Sequence, residues 1–233
     1  DQNEINEAML RFVLRFSLWG GSGNNHLRPK RSWEEIGVIR VEKEIAGLPR
    51  YWDIYVPSCY RPDDKKEYPL VVAIHGFSCS PEYFEQTSDW HRLAEERGFF
   101  VVYPAAYPRS RFPLPGWCVW PMDQEGVDES EYFKVMLDDM EEKYPIDKKR
   151  IYAVGHSNGG RMTQRLSRTM PERFAAFGPT GALGGKLADA IEPIDDHMKC
   201  PIAFMMGEYD MASPSVEEGS IARGTLKAYC RAN

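Results

Sequence analysis

Nothing in these 233 residues approaches the roughly 20 consecutive apolar side chains that a helix needs to cross a bilayer. The opening residues, DQNEINEAML, also lack a basic stretch leading into an apolar one, so no export or anchoring segment is visible and the compartment stays open. Positive charge is not in excess: the net charge is -6, with acidic and basic residues interspersed. That balance argues against a partner held through a phosphate backbone, so nucleic acid is not the expected ligand and no membrane surface is implied. Cysteine is sparse and odd in number. Cys59, Cys79, Cys118, Cys200 and Cys230 show no paired spacing, which excludes a full disulfide framework and argues against a cysteine-rich metal site. Neither an internal repeat nor a low-complexity tract appears. The chain begins at Asp1 instead of methionine and reads as a processed product or a segment of something longer.

What is present is a globular composition. With 42% hydrophobic and 12% aromatic residues, the chain can bury a substantial core, and one large domain is expected. Residues 4 to 16 carry apolar side chains at helical spacing, and the Gly- and Asn-rich stretch SLWGGSGNNHLRPKRSW after them reads as a linker. Residues 1–34 are therefore expected to be a helix plus linker, with the end of a preceding domain as one reading, and 35–233 the main domain. IGVIRVEKEI and RYWDIYVP suit an antiparallel pair at a sheet edge. Then the texture changes. PLVVAIHG, FFVVYP, RIYAVG and PIAFMMG are continuous apolar runs, as expected of strands buried on both faces. Helical patterns over 82–97, 130–143 and 159–169 lie among them. Strand alternating with helix predicts an α/β fold, a mostly parallel central sheet with helices on both faces.

The chemistry centres on IYAVGHSNGG, residues 151–160. Here a buried strand runs straight into a helix, with Ser157 at the corner and Gly155 and Gly159 two positions to either side. A serine on so sharp a turn is expected to take strained backbone angles, and the glycines let neighbouring backbone pass. The hydroxyl is then pushed above the sheet, toward the unpaired N–H groups that begin the next helix. That is the setting of a nucleophile; a glycine-serine turn capping a helix is the plain alternative. A nucleophilic serine also needs amide donors for an oxyanion. Asn158, next in sequence, supplies one, and Phe77, in the loop IHGFSCSPEYF, is the second candidate. His75 is read as structural and Gly76 as the residue that allows the loop its approach.

The blocks PLVVAIHGF, RGFFVVYPAAY, GWCVW, IDKKRIYAVGHSNGGRMTQRLS and PERFAAF, in that order, resemble the polyhydroxybutyrate depolymerase-like esterases, a group that includes feruloyl and acetyl-xylan esterases. The resemblance spans roughly residues 37 to 230. It implies an α/β-hydrolase fold, no cofactor, and hydrolysis of carboxylic esters, a small-molecule or polymer substrate, through an acyl-serine intermediate. The triad acid is expected after the strand at 201–206: Asp210 matches the family's strand-Gly-x-x-Asp block, with Glu208 as substitute. No histidine follows Asp210, and His26, His75, His91, His156 and His197 are none of them placed to serve as base. Family members continue with another strand and a histidine loop, so the chain is expected to lack its C-terminal strand and that loop.

The segment PLPGWCVWPMDQEG sits where the family has an aromatic-lined lip over the site. Trp117 and Trp120 are candidates to stack on a sugar ring, a phenolic acid or an acyl chain, and equally could fill the core of a long loop. Cys118 is a candidate to bridge to Cys79. The acidic run DESEYFKVMLDDMEEK reads as a solvated helix face, not a metal site. A catalytically silent α/β-hydrolase module within a larger protein is the alternative function. A peptidase on the same fold has no supporting feature.

Overall fold

The computed structural model describes residues 36–63, 65–108, 114–119, 126–183 and 201–207, with 226, 227, 229 and 230. The expected helix at 4–16, with the linker after it, lies outside these residues, as do Trp120, Glu208, Asp210, His26, His197 and Cys200.

The chain runs β1 (Val38–Ile45), β2 (Leu48–Tyr55), β3 (Tyr68–Ile74), α1 (Pro81–Ser88), α2 (Trp90–Arg97), β4 (Phe100–Pro104), α3 (Glu129–Lys143), β5 (Ile146–His156), α4 (Asn158–Thr169), a short 3-10 turn (Pro171–Arg173) and β6 (Ala176–Thr180). The strands form one sheet in the order β1-β2-β4-β3-β5-β6. The β1–β2 hairpin is antiparallel and β2 joins β4 antiparallel, while β4, β3, β5 and β6 run parallel. Beyond β6, residues 201–205 lie parallel to it: Phe177 donates to Pro201 O, Ala203 to Phe177 O and Met205 to Pro179 O.

Side chains of β3 alternate between two cores, which is why its sequence is apolar without a break. Leu70, Val72 and Ile74 face a core built with Tyr132, Phe133, Met136, Leu137 and Met140 of α3 and Met162 and Leu166 of α4. Val71 and Ala73 face the other, with Trp90, Leu93 and Ala94 of α2. Both faces are thereby withdrawn from water, and a polar residue at either set of positions would need a partner that the apolar layers lack.

Two expectations are corrected here, and one strand is added. The single helix at 82–97 is two: Asp89 takes φ 60° and ψ 25°, a left-handed conformation that Asp tolerates better than most residues, and the chain turns there. Ser80 starts α1 by accepting from the Tyr83 N–H at 3.2 Å, and Gly98, φ 71°, ends α2. Strand β6, AFGPT, carries a glycine and a proline that suppress any strand signal, yet it is held by β5 on one side and residues 201–205 on the other. Finally, the acidic run is not simply a solvated face. Asp128 caps α3, accepting from the Glu131 N–H at 3.0 Å, but Glu129 and Asp139 are buried and paired with Arg50 and with Lys43 and Lys143.

Candidate active site

The parallel strands all end on one side of the sheet, so the loops after β3, β4 and β5 gather there. Ser157 stands between β5 and α4 with φ 54° and ψ -117°, a region that side chains rarely occupy and that stores roughly 1–3 kcal/mol of strain. The surroundings hold it in place. Its N–H donates to Thr180 O of β6 at 2.9 Å, and its carbonyl accepts from the Arg161 N–H at 3.0 Å. The residue is exposed, although both sequence neighbours on the helix side are buried.

The glycines are required by space. A Cβ on Gly155 would meet the Gly159 oxygen at 2.3 Å, and one on Gly159 would meet the carbonyl oxygens of Ile74 and His75 at 2.2 and 2.4 Å. Helix α4 therefore begins pressed against the end of β3, aiming its first-turn N–H groups and positive end at the serine. The loop after β3 passes close by: the Cβ position at Gly76 lies 3.6 Å from Ser157 Cβ.

His75 is structural. Its ring is buried, with Nδ1–H donating to Gly76 O at 2.7 Å and Nε2 accepting from the Ala106 N–H at 3.1 Å, which ties the loop after β3 to the loop after β4. Burial lowers its pKa to about 4, so the imidazole is neutral at neutral pH. The other described histidines are also engaged: His91 with buried Glu85, and His156 through Nδ1 with Thr180 Oγ1 at 3.2 Å.

Trp117 does not form a lip. Its ring is fully buried, 5.4 Å from Phe133 and 6.3 Å from Tyr132 between centroids, so it offers no face to a substrate. Its indole N–H donates to His75 O at 2.8 Å. A tryptophan surrounded by prolines is compatible with either place in the sequence, and a core with room for the ring decided it. Cys79 and Cys118 are not joined by a disulfide, so the bridge considered from sequence is absent.

Two contributors escape sequence reading. The Asn158 side chain pairs with the Trp117 backbone, accepting its N–H at 2.7 Å and donating to its carbonyl at 3.4 Å. Glu129 accepts from the Cys118 N–H at 3.1 Å and from Arg50 Nη2 at 2.8 Å. An amide side chain beside the elbow serine was a visible signal for the first; no local signal marked the second. One strand beyond the loop after β3, a cavity of about 280 Å³ opens at the same end of the sheet, with Pro49, Tyr51, Tyr107 and Pro108 on its walls.

The arrangement has recognisable relatives. The family model for esterase PHB depolymerases matches residues 52–226. A bifunctional acetylxylan esterase/xylanase of Neocallimastix patriciarum is 31% identical over 142 residues, covering 61% of this chain and 19% of that protein. Poly(3-hydroxyalkanoate) depolymerase C of Paucimonas lemoignei is 30% identical over 167 residues, 69% of this chain and 37% of that one. The chain thus spans well under two thirds of the length of these curated relatives. Among solved structures, an S-formylglutathione hydrolase from Agrobacterium tumefaciens superposes with a TM-score of 0.58 at 17% identity, over 82% of this chain and 80% of that one, a likeness of fold. Sheet order, elbow geometry and the family match converge, and the chain belongs to the PHB depolymerase esterase family, built on an α/β-hydrolase fold.

Proposed function

We propose that this chain is the catalytic part of a serine carboxylic-ester hydrolase. The observation that carries the reading is Ser157 itself: exposed, held at φ 54° where a serine gains nothing structurally, at the mouth of a helix. In this mechanism Ser157 Oγ attacks the ester carbonyl and its proton passes to an imidazole. The carbonyl oxygen becomes an alkoxide that accepts from the N–H groups of Phe77 and Asn158. Collapse expels the alcohol, which takes the proton back from the imidazole, and leaves an acyl-serine that water then hydrolyses by the same route. Asp210 orients the imidazole. The described histidines are engaged elsewhere, so the base comes from outside the described residues.

No step calls for a cofactor or metal. The substrate belongs to one of three classes, acetyl or feruloyl esters of plant polysaccharide or a polyester; the acetylxylan esterase and the poly(3-hydroxyalkanoate) depolymerase among the relatives support the acetyl ester and the polyester. Tyr51, Tyr107 and the prolines of the neighbouring cavity supply apolar faces for the alcohol portion, and Trp120 remains a candidate to stack on it.

The test is labelling of the full-length protein with a fluorophosphonate, alongside release of acetate, ferulate and hydroxybutyrate from the corresponding esters. The reading requires rapid labelling that Ser157→Ala abolishes. Equal labelling of the two proteins, or none, would leave the chain a silent module.

A further inference from the structure

An oxyanion hole built from Phe77 and Asn158 draws its two donors from different elements. One sits in the loop after β3, the other at the first position of α4. Such donors act only if they are held within about half an ångström of the geometry that the alkoxide demands. Something must therefore fix the loop relative to the helix.

We propose that Trp117 is that positioning residue; the proposal rests on the esterase reading of Ser157. Its backbone is gripped by the helix, since the Asn158 side chain takes the Trp117 N–H at 2.7 Å and reaches its carbonyl at 3.4 Å. Its side chain grips the loop, the indole N–H donating to His75 O at 2.8 Å. On the far side of Phe77, the Ser78 N–H donates to Pro115 O at 2.8 Å, and Ser78 is held at φ 56°. The segment 115–117 thus clasps Phe77 from both flanks. One residue, Asn158, gives the hole a backbone donor and uses its side chain to anchor the clasp.

The clasp is in turn fixed at its next peptide. The Cys118 N–H donates to Glu129 Oε1 at 3.1 Å, and Arg165 Nη1 donates to the Cys118 carbonyl at 2.5 Å. Glu129 is itself buried against Arg50, whose guanidinium lies 3.7 Å from the centre of the Tyr132 ring. Trp117 has no exposed surface. Away from water these hydrogen bonds do not exchange with solvent, and breaking one leaves a group unpaired. A tryptophan that merely filled space would not need the indole bond to His75.

The experiment removes the indole N–H and keeps the ring. Trp117 is replaced by 3-benzothienylalanine, in which sulfur stands for N–H, and separately by Trp117→Phe, both in the full-length protein. Turnover of p-nitrophenyl acetate and affinity for an aryl trifluoromethyl ketone, which forms an anionic adduct with the serine, are compared with wild type. The expected result is a fall of roughly 10- to 100-fold in kcat, matched by the ketone affinity, with KM changed by less than about threefold. Titration of active sites with fluorophosphonate corrects for any unfolded fraction. A benzothienyl variant with kcat and ketone affinity within about twofold of wild type overturns the proposal, as does a loss wholly accounted for by fewer titratable sites. Wild-type protein that neither turns over nor labels removes the esterase reading and the clasp with it. An active wild type with an unaffected variant removes the clasp alone.

Discussion

Gly155 and Gly159 face one another across the turn that carries Ser157, so closely that a methyl group on the first would stand 2.3 Å from the carbonyl oxygen of the second. That distance is inside any tolerable contact, and the atom it meets is backbone, which cannot swing aside. Gly155→Ala is therefore expected to destabilise the fold by about 3 kcal/mol or more, at the top of the usual range for overpacking. Urea unfolding of variant and wild type checks this, and an effect below about 1 kcal/mol would show that the turn relaxes freely.

The strain at Ser157 makes a second prediction with opposite signs in two assays. Glycine reaches φ 54°, ψ -117° with little penalty, whereas alanine carries the same Cβ as serine. Ser157→Gly should be more stable than Ser157→Ala by about 1 kcal/mol, although glycine ordinarily weakens a fold. Both should lose essentially all esterase activity. Thermal unfolding side by side decides it; an alanine variant as stable as the glycine one would mean the turn is unstrained.

His75 gives the fold a pH dependence of known direction. Its pKa is lowered from the 6.5 of an exposed histidine to about 4 by burial, so between these values the unfolded chain binds more protons than the native one. Stability then rises with pH through this window, and is lost as pH falls from about 6.5 toward 4. The loss amounts to about 3 kcal/mol, from roughly 1.4 kcal/mol per pKa unit. Carboxylates add their own acid sensitivity, so the comparison is with His75→Gln, which should show a shallower decline over the same window. Parallel pH profiles for the two proteins would contradict it.

The Arg50–Glu129 pair, 2.8 Å apart with both side chains almost wholly buried, should matter most when half removed. Glu129→Ala strands a guanidinium in the core and frees the Cys118 N–H, and is expected to cost about 3–5 kcal/mol. Glu129→Gln retains an acceptor for Cys118 and should cost less. Chemical denaturation measures both, and equal losses would show that charge is not the issue.

Much of this arrangement was legible along the chain. The unbroken apolar run at Leu70–Ile74 announces a strand covered on both faces, because one face alone would have produced alternation. Glycines two positions to either side of Ser157 announce the elbow, because only backbone without Cβ passes that closely. These are local properties of residue type and spacing.

Other features depended on contacts between segments distant in sequence. Trp117 reads equally as a binding residue or a core residue until α3 and His75 close around it, and burial of the ring then settles the matter. Glu129 sits in an acidic run that looks solvated, and goes inside because Arg50, from β2, is there to meet its charge. Strand β6 has a sequence hostile to strands and exists because neighbours on both sides supply its hydrogen bonds. Composition and spacing determined the sheet and the sharp turn at Ser157 by short-range sterics. Which polar groups could afford burial was decided only by tertiary structure, since that depends on partners brought from elsewhere in the chain.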